Sequence, residues 1–355
     1  MIWVNKPYLI CDIQPGMILG RPLYSDDGQV LLSENTTLTV PLIQRLSEVG
    51  FATLYIKEPI VDEEENVLSL LSEQRIFSQA HAQILQVLED IFEKVRRFQE
   101  VPIEDIEKIA DESVNRLVKE AGIIRHLNDL KSTDDYTFVH SLNVGILSGV
   151  IGKWMGYTGK RLKDLIMTGL LHDIGKTQIP LEILNKPGRL TEEEMNIMQE
   201  HATLGFEMVK KTGAPKDILL GIWQHHERLN GEGYPFQLTD DEICPYARIV
   251  AVADMYDAMT SDRVYRQATN LFKAIEEVFS QMFGKLDPEV TTTFLYHLKD
   301  SLVGYIVRLS DGSEARVIHL DRDRALRPIV KLSDGRYIDL EARHDLVISE
   351  VISSN

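Results

Sequence analysis

Five of the chain's ten histidines fall between positions 140 and 226. "YTFVHSLNV" gives His140, "LLHDIGK" gives His172 with Asp173 and Lys176, "MQEHATLG" gives His201, and "HHERLNGEGYP" gives the pair His225 and His226. Asp254 and Asp257 follow inside the apolar run "RIVAVADMYDAM", with Arg263 and Arg266 shortly after. Imidazole and carboxylate are donors suited to divalent first-row metals. Taken singly these residues say little. His140 or His201 alone reads as a hydrogen-bonded helix histidine, and Asp254 or Asp257 alone reads equally well as the partner of Arg263 or Arg266. The ordered set is what points to a metal. His344-Asp345, in "EARHDLVI", is an internal control: the same dipeptide stands in a β-rich tail without a helical apolar face, and reads as surface.

Leu165, Ile166, Leu170 and Leu171 form a core-facing stripe, so His172 and Asp173 emerge at its end beside buried surface. Neighbours on a helix point about 100° apart and cannot chelate one ion as an i, i+4 pair does, but an Asp carboxylate can bridge two ions. Asp254 lies in a run too apolar to leave an acid unpaired without cost, which a metal would offset. His225 and His226 can converge on one ion only where the backbone departs from a regular helical turn. Gly231 and Gly233 allow tight turns and Pro235 stiffens the exit. Glu227 is placed to orient a ligating histidine.

In order and approximate spacing, this series resembles the HD-GYP subgroup of the HD phosphohydrolases: His, His-Asp with Ile-Gly-Lys, His, His-His-Glu followed by Gly-Tyr-Pro, then Asp-x-x-Asp-Ala-Met-Thr. The likeness covers roughly residues 132 to 297. It implies an all-α bundle with a metal centre at one end, in which His140, His172, Asp173 and Asp254 hold one divalent ion. Asp173 would bridge to a second held by His201, His225 and His226. It also implies hydrolysis of cyclic di-GMP to linear pGpG, and in some members on to GMP, by a hydroxide between the metals. Two cations suit that displacement, and imidazole with carboxylate suits Fe or Mn, with Co, Ni and Zn as further candidates. Lys176, one helical turn beyond His172, is expected at the scissile phosphate or the leaving oxygen. Arg263 and Arg266 resemble the family's phosphate and base contacts, with surface charge as the alternative. Tyr234 either stacks on a guanine or packs beneath the histidine helix. Some members bind a third metal through a glutamate one turn before the first histidine; here that position is Tyr136, so a two-metal centre is expected and the step to GMP is in doubt. A cyclic dinucleotide receptor with little turnover, or an HD hydrolase for another nucleotide such as cyclic GMP-AMP, are the rival functions.

The fold class expected around this site is mainly α: an HD-type helical bundle with a small α+β module before it and a small β-rich module after it. The boundaries are 1–62, a helical linker or bundle region at 63–131, the hydrolase domain at 132–298, and a β-hairpin module at 299–355. "PGMILGRPLYSDDGQVLL" carries an Asp-Gly hairpin cue, and "VDEEEN" marks the first break. A helical stripe runs through Ile84, Leu88, Ile91, Val95 and Phe98, then Ile106, Ile109, Leu117, Ala121, Ile124 and Leu127. It packs on the chain's own core or pairs two subunits through residues 67–130. Thr191 and Glu194 form a capping box, and Pro215 opens a helix. "YIVRLSDGSEARVIHL" and "PIVKLSDGRYIDL" are two strand, Ser-Asp-Gly, strand units.

With 355 residues, 44% hydrophobic and 26% charged, the chain has a globular balance. Its net charge of −17 argues against DNA or RNA as partner, since a duplex binder needs a basic face. Two cysteines, Cys11 and Cys244, offer no disulfide framework and fit a reducing cytoplasm. The start "MIWVNKPYLICDIQPG" lacks a signal peptide's apolar run, and Val144 to Gly152 is far short of the roughly 20 residues a membrane helix needs. The family resemblance implies cyclic di-GMP and signalling proteins as partners, and no membrane anchor is expected.

Overall fold

The computed structural model describes residues 3–10, 13–25, 29–49, 51, 53–59, 67–119, 122–130, 136–261, 270–320 and 327–353. Cys11, the Asp27 and Gly28 of the first hairpin cue, the acidic stretch 61–66, Ala121, Arg263 and Arg266 lie outside them. Two compact units divide the chain: Met1–Glu65 with Val303–Ser353, and Asn66–Leu302.

The first unit holds the strands. Trp3–Leu9 and Ile18–Leu19 flank Thr53–Pro59 in an antiparallel sheet, with Trp3 opposite Pro59 and Leu9 opposite Thr53. Leu19, Leu54 and Ile56 bury with Leu38 and with Leu46 of the helix Val40–Val49. A second, five-stranded antiparallel sheet runs Ile348–Ser353, Ile306–Leu309, Glu314–His319, Ile329–Leu332, Tyr337–Asp339. Side chains on a strand alternate between faces, and Val307, Leu309, Ala315, Val317, Val330 and Leu332 are buried. The two Ser-Asp-Gly turns close alike: Gly312 N–H donates to Leu309 O at 2.9 Å, and Gly335 N–H to Leu332 O at 3.0 Å.

The second unit is helical. Val67–Phe98 buries Phe77, Ile84, Leu88, Ile91 and Val95 against the chain's own core, and packs on Tyr136–Trp154. The expected stripe breaks at Phe98 and resumes with Ile106, Ile109, Leu117, Ile124 and Leu127, all buried. Phe98 is 69% exposed because the helix ends there, with Gln99 at φ 57°. Ile103–Lys108 continues through a π-helical segment, Ile109–Val114, into Asn115–Leu117, and Ile123–Asp129 begins afresh after Gly122. Tyr136–Trp154 and Pro245–Thr260 are apolar almost all round, as fully packed helices must be. Leu142, Val144, Ile146 and Ile151 of the former are buried, and each such side chain contributes about 1.5–3 kcal/mol by leaving water. These two central helices carry His140, Asp254 and Asp257. Gly159–Leu171 lies against the first of them and delivers His172 at its end.

Glu192–Gln199 starts with the expected capping box: Glu194 N–H donates to Thr191 Oγ1 at 3.3 Å, and Thr191 N–H to Glu194 Oε2 at 2.8 Å. Lys216–Gln224 opens after Pro215. No helix among the described residues is long and apolar enough to cross a membrane.

Candidate metal centre

The site is assembled at the ends of helices. Gly159–Leu171 finishes one residue before His172, and Asp173, at φ −100° and ψ 7°, leaves the helical path before the 3-10 turn Ile174–Gln178. The 100° divergence expected of helical neighbours therefore does not hold, and His172 Nε2 lies 3.3 Å from Asp173 Oδ2. For the same reason Lys176 is not one α-turn from His172. The tighter turn brings its Nζ to 2.5 Å from Asp173 Oδ2. Gly175 lets this turn lie flat on the next helix, His201–Lys210: a Cβ there would stand 2.0 Å from the His201 carbonyl oxygen. His225 caps Lys216–Gln224 and His226 lies beyond it, so the adjacent rings face the same way, with centroids 4.0 Å apart.

Asp173 has one oxygen toward each of two groups. Oδ2 is 3.3 Å from His172 Nε2 and 3.6 Å from His140 Nε2, while Oδ1 is 3.3 Å from His201 Nε2 and 4.0 Å from His225 Nε2. Two clusters able to hold a cation result, His140 with His172 and Asp173, and Asp173 with His201, His225 and His226. Asp254 stands at the border of both. Its Oδ1 is 3.1 Å from His140 Nε2, and its Oδ2 is 3.9 Å from His226 Nδ1.

Three of the imidazoles are oriented identically. His172, His201 and His225 each donate Nδ1–H to the carbonyl three residues earlier, at Gly169, Met198 and Ile222, all at 2.7 Å. That bond selects the tautomer whose Nε2 lone pair faces the centre. His140 instead donates Nδ1–H to Asp257 Oδ2 at 2.7 Å. The sequence gives Asp257 no such role, because its link to His140 spans 117 positions.

The donor set passes a test of fit for two divalent ions. His172 Nε2 and Asp173 Oδ1 are buried and make no hydrogen bond. Stranding such atoms costs about 1–3 kcal/mol each unless something electropositive meets them. Burial depresses the pKa of His201 to about 4, and burial with neighbouring imidazoles holds His225 and His226 well below the usual range, which is the neutral form that ligates. Burial also opposes ionisation of Asp173, but His172 and Lys176 outweigh it and hold the carboxyl well below its usual value. Burial works against charge on His140 too. Its bonds to Asp254 and Asp257 prevail and raise its pKa to about 9.

The Gly-Tyr-Pro loop walls this centre. Glu227 does not orient a histidine, as its sequence position suggests; its buried carboxylate accepts Phe236 N–H at 2.7 Å and Leu238 N–H at 2.9 Å and so ties the loop back. Gly233 passes directly over that residue, where a Cβ would meet Glu227 Cα at 2.4 Å. Tyr234 stacks on His226 with centroids 4.6 Å apart, so one ring face is already taken. Arg263 and Arg266, expected at the phosphates, lie outside the described residues, as does the Tyr136 side chain. His344 is exposed, and its neighbour Asp345 pairs with Arg343 at 2.7 Å.

Residues 105–290 match the model of the HD domain family, and the chain belongs to that family. Its relatives and its fold are of the HD-GYP type. It is 32% identical over 243 residues to the cyclic di-GMP phosphodiesterase PA4108 of Pseudomonas aeruginosa, covering 68% of this chain and 58% of that one. It is 42% identical over 178 residues to a cyclic di-GMP phosphodiesterase of Thermotoga maritima, covering 49% and 48%. The chain thus spans about half the length of the curated relatives it matches. Among solved structures, Bd1817, an HDG"Y"P protein from Bdellovibrio bacteriovorus, shares the fold with TM-score 0.51 at 20% identity, over 84% of this chain and 100% of that one.

Proposed function

We propose that this protein is a metal-dependent phosphodiesterase that hydrolyses cyclic di-GMP to linear pGpG. The observation that carries this reading is Asp173, one carboxylate with an oxygen toward each of two histidine clusters and with a buried oxygen that makes no hydrogen bond. On this reading His140, His172, Asp173 and Asp254 hold one divalent ion, and Asp173, His201, His225 and His226 hold the other, with Fe or Mn best matched to the donors. Such a pair supplies Lewis acidity to phosphoryl oxygens and lowers the pKa of water for in-line attack. The names of the relatives, which act on cyclic di-GMP, supply the substrate.

The chain's own residues complete the chemistry. Lys176, with a side chain 21% exposed and its Nζ 2.5 Å from Asp173 Oδ2, is placed to neutralise a phosphate that enters beside Asp173. Water adds across one P–O3′ ester; the freed 3′ oxygen takes up a proton, and Lys176 stabilises the charge that builds there. Tyr234 keeps the His226 ring in place, so stacking on a guanine is limited to its other face. Arg263 and Arg266 belong to the proposal as phosphate contacts, and the cytoplasm, where cyclic dinucleotides signal, as its setting. Tyr136 occupies the sequence position of the glutamate that serves as a third-metal ligand in some members of the family this series resembles, so pGpG is the expected product and the further step to GMP is the part of the proposal in doubt.

The test is chromatography of cyclic di-GMP, and separately of 3′3′-cyclic GMP-AMP, after incubation with anaerobically purified protein loaded with Mn2+. Accumulation of pGpG is expected. Metal-loaded protein that leaves cyclic di-GMP intact overturns the enzyme reading and favours a receptor.

A further inference from the structure

A polar chain leads away from the His140 side of the centre into the helix Val67–Phe98. His140 Nδ1–H donates to Asp257 Oδ2 at 2.7 Å, and Asn143 Nδ2 donates to Asp257 Oδ1 at 2.8 Å. His81 Nε2 stands 2.9 Å from Asn143 Oδ1. Each of these groups is buried. The direction of every bond follows from the first. A carboxylate accepts only, so Asn143 must turn its NH2 to Asp257 and its oxygen to His81, and His81 must carry its proton on Nε2. Burial also lowers the His81 pKa, opposed by its bond to Asn143, which keeps the ring neutral. A buried amide with both ends satisfied has one orientation, and losing one partner exposes the remainder to the cost of an unmet polar group.

We infer that His81 and Asn143 are positioning residues for the metal site at His140: the His81 N–H fixes the Asn143 amide, which fixes the Asp257 carboxylate, which fixes the His140 ring with its Nε2 toward the centre. The inference rests on the reading of His140 as a ligand. His81 lies ahead of residues 105–290, the part shared with the HD domain family, so this support comes from a helix the family match does not include. Among the described residues, His172, His201 and His225 are held by backbone carbonyls of their own helices instead. A defect at His81 should therefore reach one metal site and spare the other.

Two substitutions separate hydrogen bonding from packing. His81→Phe keeps a ring beside Phe77, whose centroid lies 5.9 Å away, and removes the N–H. His81→Gln gives up the ring and keeps a donor at about the Nε2 position. Full-length wild type and both variants are titrated anaerobically with Mn2+ alone, beside thermal unfolding of the metal-free proteins. The expected result is two ions on wild type, one of them bound about tenfold more weakly in His81→Phe with the other unchanged, and near wild-type binding in His81→Gln. Two sites of wild-type affinity in His81→Phe, or a loss that follows the ring and appears in His81→Gln, overturns the inference and leaves the phosphodiesterase reading standing. A wild type that binds no metal overturns both. Nitrogen spectra of histidine-labelled wild type need no variant: a neutral His81 protonated at Nε2 supports the chain, and an Nδ1–H tautomer refutes it.

Discussion

The two sides of Asp173 are built differently. On one, His201 and His225 are aimed by carbonyls of their own helices, three residues back. On the other, His172 is aimed in the same way by the carbonyl of Gly169, but His140 is aimed by a carboxylate from a separate helix, and Asp254 reaches the same ring from the same helix as Asp257. Helix geometry sets the rings of His201, His225 and His172, while the aim of His140 depends on how Tyr136–Trp154 packs against Pro245–Thr260. The first side thus carries neutral imidazoles ready to ligate, and the second a charged histidine that must release a proton before its Nε2 can bind a cation.

Asp173→Ala removes the one group common to both sides and should have the largest effect. Loss of several kcal/mol of transition-state stabilisation corresponds to about a thousandfold drop or more in cyclic di-GMP turnover. Wild-type turnover in this variant would contradict the shared carboxylate. Next in size is His225→Ala, expected to lower turnover about a hundredfold while a Mn2+ titration still finds the His140 site. Simultaneous loss of both ions there would show that the sides are not separable.

Asp257→Ala sharpens the contrast further. It should weaken one ion by about ten- to a hundredfold and leave the other alone, because no helical carbonyl replaces the lost acceptor. Equal weakening of both ions would assign Asp257 to general packing. The smallest effect is on chelator-treated protein. The folded pKa of His140, about 9, exceeds the ordinary value of 6.5, so its contribution to stability is complete below pH 6.5 and fades as pH rises through 9. Thermal unfolding should move down by roughly a few degrees across that interval. A midpoint that rises there would contradict the charged His140.

The difference between the sides also explains what the sequence could reveal. His140, His172, Asp173, His201, His225, His226 and Asp254 were legible as candidate donors from their ordered series, and the helices that end or begin near some of them from local signals: the apolar stripe to Leu171, the capping box at Thr191, the opening at Pro215. The Ser-Asp-Gly hairpins were legible for the same reason. Asp257, Asn143 and His81 were not, since their bonds cross 117, 114 and 62 positions and no periodicity encodes such pairings. Glu227 was misread because its partners, the N–H groups of Phe236 and Leu238, depend on how the loop folds back. Nor does any local signal tell that Ile348–Ser353 pairs beside Ile306–Leu309. The two His-Asp dipeptides show the limit from the other direction: identical letters at His172 and His344 end up fully buried and exposed, decided by the apolar stripe in front of the first.

The most direct measurement of the central claim is metal content per chain, by elemental analysis of anaerobically Mn2+-loaded wild type and Asp173→Ala at equal protein concentration. One carboxylate serving two clusters predicts two ions per wild-type chain and fewer than one in the variant. Two ions retained by Asp173→Ala would contradict it.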